Sequence, residues 1–153
     1  MMTHSELAAE NFKRGYNCAQ AVLLAFGDLT GLDEKTAAKL SSGFGGGMGR
    51  LREVCGAVSG MFMVAGLLYG ESTHLSHEEK AAHYARIQSL ATQFREKNGS
   101  YLCRELLDGV QVTTGTAPEQ RTADYYKKRP CKLLCSDAAE LLDRYIAEHP
   151  IKR

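Results

Sequence analysis

The sequence predicts an all-α fold, in which one domain forms a helical bundle around a central apolar, glycine-rich helix at about 54–69. Two observations lead to this fold class. Residues 54–69 carry no formal charge and one strongly polar side chain, Ser59, which is typical of a helix inside a protein. No segment sustains the two-residue alternation of a half-buried strand. The chain of 153 residues is long enough for a sizeable core, and no linker divides residues 1–153.

Capping and turn residues divide the first half of the chain. Its predicted elements are a helix that Ser5 caps and Gly15 ends, a helix over 18–26 capped by Asn17, and a turn at 27–31. A short helix from Asp33 to about Ser41 and a glycine-rich loop at 43–49 follow. These elements lead into the central helix, which Gly70 ends.

The second half contains the longest amphipathic pattern. Its predicted elements are a polar connection at 72–76, a helix from Ser76 to about Lys97, a helix capped by Ser100, an irregular segment at 109–122 and a last helix from Pro130 to about Glu148. Ser76 and Glu79 have the spacing of a capping box. The short run at 127–129 is predicted to be a solvated basic patch before the last helix.

The overall charge and the N-terminal residues limit the classes of partner. A formal net charge of +1 gives no electrostatic reason to expect nucleic acid. The central apolar stretch is shorter than the about 20 residues of a membrane helix, so no membrane insertion is expected. The first residues lack the basic start and apolar run of a secretory signal, which predicts a cytoplasmic protein. Five cysteines in a reducing compartment favour redox chemistry or metal binding over a disulfide framework.

Four cysteines lie close to predicted helix starts, where free N–H groups stabilise a thiolate. These candidate catalytic residues are Cys18, Cys55, Cys103 and Cys131. Cys55 is the predicted attacking thiol, with a lowered pKa, because Arg50 and Arg52 are near in sequence. The competing interpretation is that each cysteine is a small buried apolar residue.

The spacing of the cysteines excludes several known sites. No C-x-x-C occurs, which excludes a thioredoxin-type pair and a zinc-ribbon knuckle, and C-x-x-C-H is also absent. Cys131 and Cys135 share one helix face, either as adjacent metal ligands or as apolar neighbours.

The glycine-rich loop supplies the candidate cofactor-binding residues Gly45, Gly46 and Gly47. The loop matches neither G-x-G-x-x-G nor a P-loop, and no strand leads into it. Its N–H groups could hold an anion. A tight turn that lets two helices approach is the favoured interpretation.

Residues 55–60 read C-G-A-x-x-G after the glycine-rich loop, and three further segments around Cys18, Cys103 and Cys131 complete a pattern. Over nearly its whole length the chain thereby resembles a family of small redox-active proteins named for the pattern C_GCAxxG_C_C. The resemblance implies that these four cysteines form a redox-active or cofactor-binding cluster. Cys135 is a fifth cysteine that the pattern lacks, and an exchange of roles between Cys131 and Cys135 stays open.

Three functions remain open from the sequence. The first is an oxidoreductase-like protein that cycles between dithiol and disulfide with an unidentified redox partner. The second is a metal or iron–sulfur site in which Cys18, Cys55, Cys103 and Cys131 are the ligands. The third is a non-catalytic homodimer whose interface is the glycine face of the central helix, where Gly56 and Gly60 are four residues apart.

Overall fold

The structure is a computed structural model that describes residues 1–71, 73 and 76–152. Within these ranges the chain is helical and has no strand, apart from an isolated bridge between Val54 and Leu102. The helices are α1 (His4–Lys13), α2 (Cys18–Ala25), α3 (Gly27–Thr30), α4 (Glu34–Ser41), α5 (Gly56–Tyr69), α6 (His77–Asn98), α7 (Cys103–Leu106), α8 (Ala123–Lys128) and α9 (Cys131–Glu148). A 3-10 turn, Ser42–Phe44, follows α4. The predicted all-α fold is confirmed.

Helix α5 is the predicted central helix. It packs against α2, α3, α6 and α9, and Val58, Met61 and Val64 are fully buried in the core. The helix begins at Gly56 rather than near 54, because Val54 is held in the bridge and Cys55 takes the N-cap position. Of the helices in the described ranges, none is both long and apolar enough to cross a membrane.

The glycine face of α5 allows a close approach of α2. A Cβ atom built on Gly60 would lie 2.8 Å from the carbonyl oxygen of Ala19 and 3.0 Å from Cβ of Val22. A Cβ atom built on Gly56 would lie 3.0 Å from Cβ of Cys18. The predicted close contact therefore occurs inside the chain, and it sets the start of α2 beside the start of α5.

Helices α1 and α9 complete the bundle around the buried side chains Phe12, Phe26 and Leu142. Asn17 caps α2 and forms a capping box with Gln20, which fixes the first residue of α2 as Cys18. Pro130 precedes α9 and fixes its first residue as Cys131. Four helices, α2, α5, α7 and α9, thus have a cysteine at or beside their first residue.

Some predicted boundaries and caps are wrong. Thr3, not Ser5, caps α1, because the Thr3 side chain accepts a hydrogen bond from the Glu6 N–H. Ser100 does not cap α7, since Leu102 holds the N-cap position and the Ser100 hydroxyl accepts from the Leu102 N–H. Helices α3 and α8 lie where a turn and a basic run were expected. The predicted connection at 72–76 falls partly outside the described residues, at Ser72, His74 and Leu75.

Candidate functional site

A cavity of about 760 Å³ opens at the end of the bundle where α2, α5 and α9 begin. Four of the five cysteines line its wall, namely Cys18, Cys55, Cys103 and Cys131. These are the four residues that the sequence singles out, although 113 positions separate the first from the last (131 minus 18). The fold brings them together because each lies at the start of a helix that points to this end.

The five sulfur atoms form one connected group. The Cys18 thiol lies close enough to Cys131 and Cys135 for each to shift its pKa, and the Cys135 Sγ donates to the Cys18 carbonyl oxygen across 3.9 Å. Cys55 is close enough to Cys103, Cys131 and Cys135 to couple electrostatically with them. All five are free thiols. Cys135 is therefore a contact of the cluster, below the cavity wall, and not a distant fifth residue.

The environment of Cys55 is the opposite of what a reactive thiolate needs. Burial raises the pKa of Cys55 to about 12, and the N–H groups of Ala57 and Val58 only partly offset this effect. The side chain is 4% exposed. The prediction of a lowered pKa is wrong, because desolvation outweighs the helix start and the two nearby arginines reach other partners.

The pair of Cys18 and Cys131 is also kept neutral. For Cys131, the hydrogen bond with Cys18 and then burial raise the pKa far above its ordinary value, against a lowering by Arg129. For Cys18, the neighbouring Cys131 thiol lowers the pKa. The Cys135 thiol and burial raise it by more, so the pKa of Cys18 is well above its ordinary value. Both thiols of the pair therefore stay protonated near neutral pH.

Cys103 is the cysteine that Arg52 contacts. The Arg52 Nη1 lies 3.7 Å from the Cys103 Sγ. Burial raises the pKa of Cys103, while the Arg52 guanidinium lowers it. The arginine expected to activate Cys55 thus acts on Cys103 instead, because the Cys103 N–H donates to the Glu53 carbonyl oxygen and holds the start of α7 beside Arg52.

The glycine-rich loop runs through an unusual backbone conformation. Five consecutive residues, 46–50, have positive φ, and two of them, Met48 and Arg50, are not glycine. Left-handed backbone costs a non-glycine residue roughly 1–2 kcal/mol, so the surroundings must hold this loop in place. The loop ends in hydrogen bonds from the N–H groups of Arg52 and Glu53 back to 46 and 47.

Close packing leaves no room for a side chain at the three candidate glycines. A Cβ atom on Gly45 would lie 2.5 Å from Cβ of Asn17, and one on Gly47 would lie 2.6 Å from Cβ of Cys103. The loop therefore packs directly against the start of α2 and against Cys103, as the favoured interpretation of a tight turn expects. Gly45, Gly46 and Gly47 line the cavity, and their binding of a cofactor stays a prediction.

Glu119, which the sequence analysis did not single out, joins three arginines beside the thiols. Its Oε1 lies 2.8 Å from Arg129 Nη2 and 3.3 Å from the Nη2 atoms of Arg50 and Arg52. Burial would raise the pKa of Glu119, but hydrogen bonds from the Thr113 N–H, its own N–H and Arg129 lower it to about 2. Arg129 is 8% exposed, so its assignment to a solvated basic run is wrong.

Arg121 fastens the irregular segment to the rim of the cavity. Its guanidinium donates to the carbonyl oxygens of Phe12 and Tyr16, and it lies 4.1 Å above the Phe12 ring. Tyr125 lies below Arg129, whose guanidinium carbon is 4.8 Å from the ring centre. The segment at 109–122, irregular as predicted, therefore forms one wall of the cavity.

Fold and site together define a small all-helical protein with a buried thiol cluster that faces a cationic cavity. Residues 16–145 match the family described as "Putative redox-active protein (C_GCAxxG_C_C)", and the chain belongs to this family. The resemblance noted from the sequence is thereby confirmed. No curated protein and no solved structure gives a significant match. Within the described ranges, no three side chains of His, Cys, Asp or Glu are grouped as ligands of a metal ion.

Proposed function

We propose that the protein is a dithiol–disulfide redox protein in which Cys18 and Cys131 are the pair that cycles. The observation that carries this proposal is that both residues line the same cavity wall, close enough for each thiol to shift the pKa of the other. Each residue is the first of its helix, so helix N–H groups face both positions. Two cysteines held this close at neighbouring helix starts can form a disulfide with less backbone movement than distant ones.

The reaction proceeds by thiol–disulfide exchange with a substrate disulfide. One thiol of the pair loses its proton and attacks a substrate sulfur atom, the substrate S–S bond breaks, and the departing thiolate takes up that proton. The second thiol then loses its proton and attacks the protein sulfur of the mixed disulfide. The second substrate thiolate leaves and takes up this proton. The protein dithiol is oxidised to a disulfide, and the substrate disulfide is reduced to two thiols.

The neighbouring cysteines keep the reduced pair as a neutral dithiol. A thiolate on Cys131 is opposed by any charge on Cys18 or Cys55, and Cys103 couples with Cys131 in the same way. Crowded, buried thiols avoid ionisation. We therefore keep Cys55 and Cys103 as members of the proposed site.

Peptide mapping of the oxidised protein tests the assignment. Trypsin cleaves between all five cysteines, and cleavage after Lys132 separates Cys131 from Cys135. Reduced protein is titrated with one equivalent of a small disulfide, alkylated under acid conditions and digested. We expect a Cys18–Cys131 cross-link as the main product, absent from Cys18→Ser and Cys131→Ser and retained in Cys135→Ser.

Two outcomes would contradict this proposal. A main cross-link between other cysteines would move the redox pair, and no cross-link at all would remove the redox function. Metal analysis of protein purified without oxygen checks the metal and iron–sulfur alternative, because one metal per chain bound to Cys18, Cys55, Cys103 and Cys131 would support that alternative instead.

The homodimer alternative loses the observation that suggested it. The face of Gly56 and Gly60 is covered by α2 of the same chain and is not a surface for a second copy. The cytoplasmic location and the lack of nucleic-acid binding stay predictions of the sequence.

A further inference from the structure

The wall of the cavity carries a large excess of positive charge. Among the described residues that line it, one carboxylate, Glu119, faces six cationic side chains. These are Lys13, Arg14, Arg50, Arg52, Arg121 and Arg129. The formal charge of the whole chain is only +1, so the excess is local to this cavity.

Glu119 shows which anion the arginines accept. Three guanidinium groups converge on its single Oε1 atom at 2.8–3.3 Å. The side chains of Arg50, Arg52 and Arg129 are only 12, 16 and 5% exposed, so their charges are poorly screened by water. One carboxylate cannot neutralise three guanidinium groups, and two positive charges remain at this point of the wall.

The excess charge lies beside the thiols. Arg52 contacts both Glu119 and the Cys103 sulfur, and Arg129 contacts Glu119 and lowers the pKa of the adjacent Cys131. A ligand bound to these arginines would therefore place its neighbouring atoms near the cysteine cluster. A cavity of about 760 Å³ lies in the range of small-molecule sites.

We propose that this cavity binds a low-molecular-weight disulfide that carries carboxylate groups, and that the arginines hold the carboxylates while the S–S bond faces the thiol pair. The inference rests on the proposed redox function and names its substrate class. Arginine suits this task, because its planar fork binds carboxylates through charge-assisted hydrogen bonds. The contacts with Glu119 identify carboxylate, rather than a neutral or cationic group, as the chemistry that the wall accepts.

The test compares three small disulfides that differ in charge. They are 3,3′-dithiodipropionate, which is dianionic, bis(2-hydroxyethyl) disulfide, which is neutral, and cystamine, which is dicationic. The rate at which each oxidises the reduced protein is divided by its rate with a neutral free thiol, which removes intrinsic differences in reactivity. At low ionic strength we expect the dianionic compound to exceed the dicationic one by at least about tenfold, and added salt to shrink the ratio.

Charge-matched variants locate the effect. Arg50→Gln removes a cavity charge that contacts no cysteine, and Lys132→Gln removes an exposed charge next to Cys131 but outside the cavity wall. We expect Arg50→Gln to lower the anionic-to-neutral rate ratio by about threefold or more. Lys132→Gln should leave it nearly unchanged. Arg14→Gln, an exposed cavity residue, replaces Arg50→Gln if the latter fails to fold.

The outcomes separate the two proposals. Equal normalised rates for all three disulfides would refute the carboxylate preference and leave the redox function standing, whereas no reaction with any of them would overturn both. Competition adds a second measurement, since suberate has the length of 3,3′-dithiodipropionate but no sulfur. Suberate should slow oxidation by the dianionic disulfide. Inhibition by inorganic phosphate and not by suberate would refute carboxylate as the ligand class.

Discussion

Replacing Gly60 by alanine tests whether the contact between α2 and α5 organises the site. The new Cβ atom would lie 2.8 Å from the Ala19 carbonyl oxygen and 3.0 Å from Cβ of Val22, too close for either contact. The clash involves backbone, which cannot rotate away, so α2 must move. Overpacking of this kind costs about 1–3 kcal/mol, while alanine gains about 1 kcal/mol over glycine in a helix interior.

Gly66 in the same helix supplies the matched control. A Cβ atom there meets nothing within 4 Å, so Gly66→Ala keeps the propensity gain without the clash. We expect Gly66→Ala to raise the free energy of unfolding by about 0.5–1 kcal/mol. Gly60→Ala should be about 1–3 kcal/mol less stable than Gly66→Ala.

Urea denaturation of both variants in excess reductant measures the difference, and the Cys18–Cys131 cross-link in oxidised protein measures its effect on the site. A shift of α2 moves Cys18 relative to Cys131, so Gly60→Ala should also form less of this cross-link. Equal stability of the two alanine variants would refute the inferred close packing. Normal cross-linking in a clearly destabilised Gly60→Ala would show that the site does not depend on it.

Three other predictions concern the loop, the central helix and the response to pH. Met48→Gly should raise the free energy of unfolding by about 1 kcal/mol, because Met48 has φ +70°. Leu51→Gly, at a nearby residue whose φ is not positive, should lower the free energy of unfolding. A lower free energy of unfolding in both variants would contradict the backbone strain at Met48. Ser59→Ala should raise the free energy of unfolding by about 1–2 kcal/mol, measured by thermal or urea denaturation, since the buried Ser59 hydroxyl has no partner among the described residues. A lower free energy of unfolding would reveal a hydrogen bond of this hydroxyl. The folded pKa of Cys55 is raised from 9.0 to about 12, so its contribution to stability is complete below pH 9.0 and is lost as the pH rises towards 12. Unfolding of the reduced protein across this window should show a downward slope that Cys55→Ala flattens, and parallel profiles would refute the buried thiol.

Local patterns in the sequence were sufficient for most of the helices and for a close helix contact on the face of Gly56 and Gly60, but not for α2 as its partner. The capping boxes at Asn17 and Ser76 involve residues three positions apart, and the spacing of Gly56 and Gly60 is one helical turn. Such signals involve only residues that are three or four positions apart in the sequence. They also place the helix starts, and with them the cysteines, close to where the structure has them.

The electrostatics of the site could not be predicted in this way. Glu119 meets Arg52 across 67 positions, inside a segment whose composition indicates only irregular structure. Arg129 follows two exposed lysines in sequence, yet it turns inward to Glu119. The pKa of Cys55 depends on how completely other helices cover it, which is a property of packing and not of the residues beside it in the chain.

Local helix starts and the packing of the whole chain control different parts of the proposed chemistry. Helix starts fix where the thiols lie, but burial and mutual contact keep every one of the five thiols above its ordinary pKa. Two of the arginines that oppose this rise, Arg52 at Cys103 and Arg129 at Cys131, are both bound to Glu119. Because a carboxylate paired with a guanidinium offsets part of its positive charge, Glu119 in the segment at 109–122 limits how far Arg52 and Arg129 can lower the pKa of these thiols.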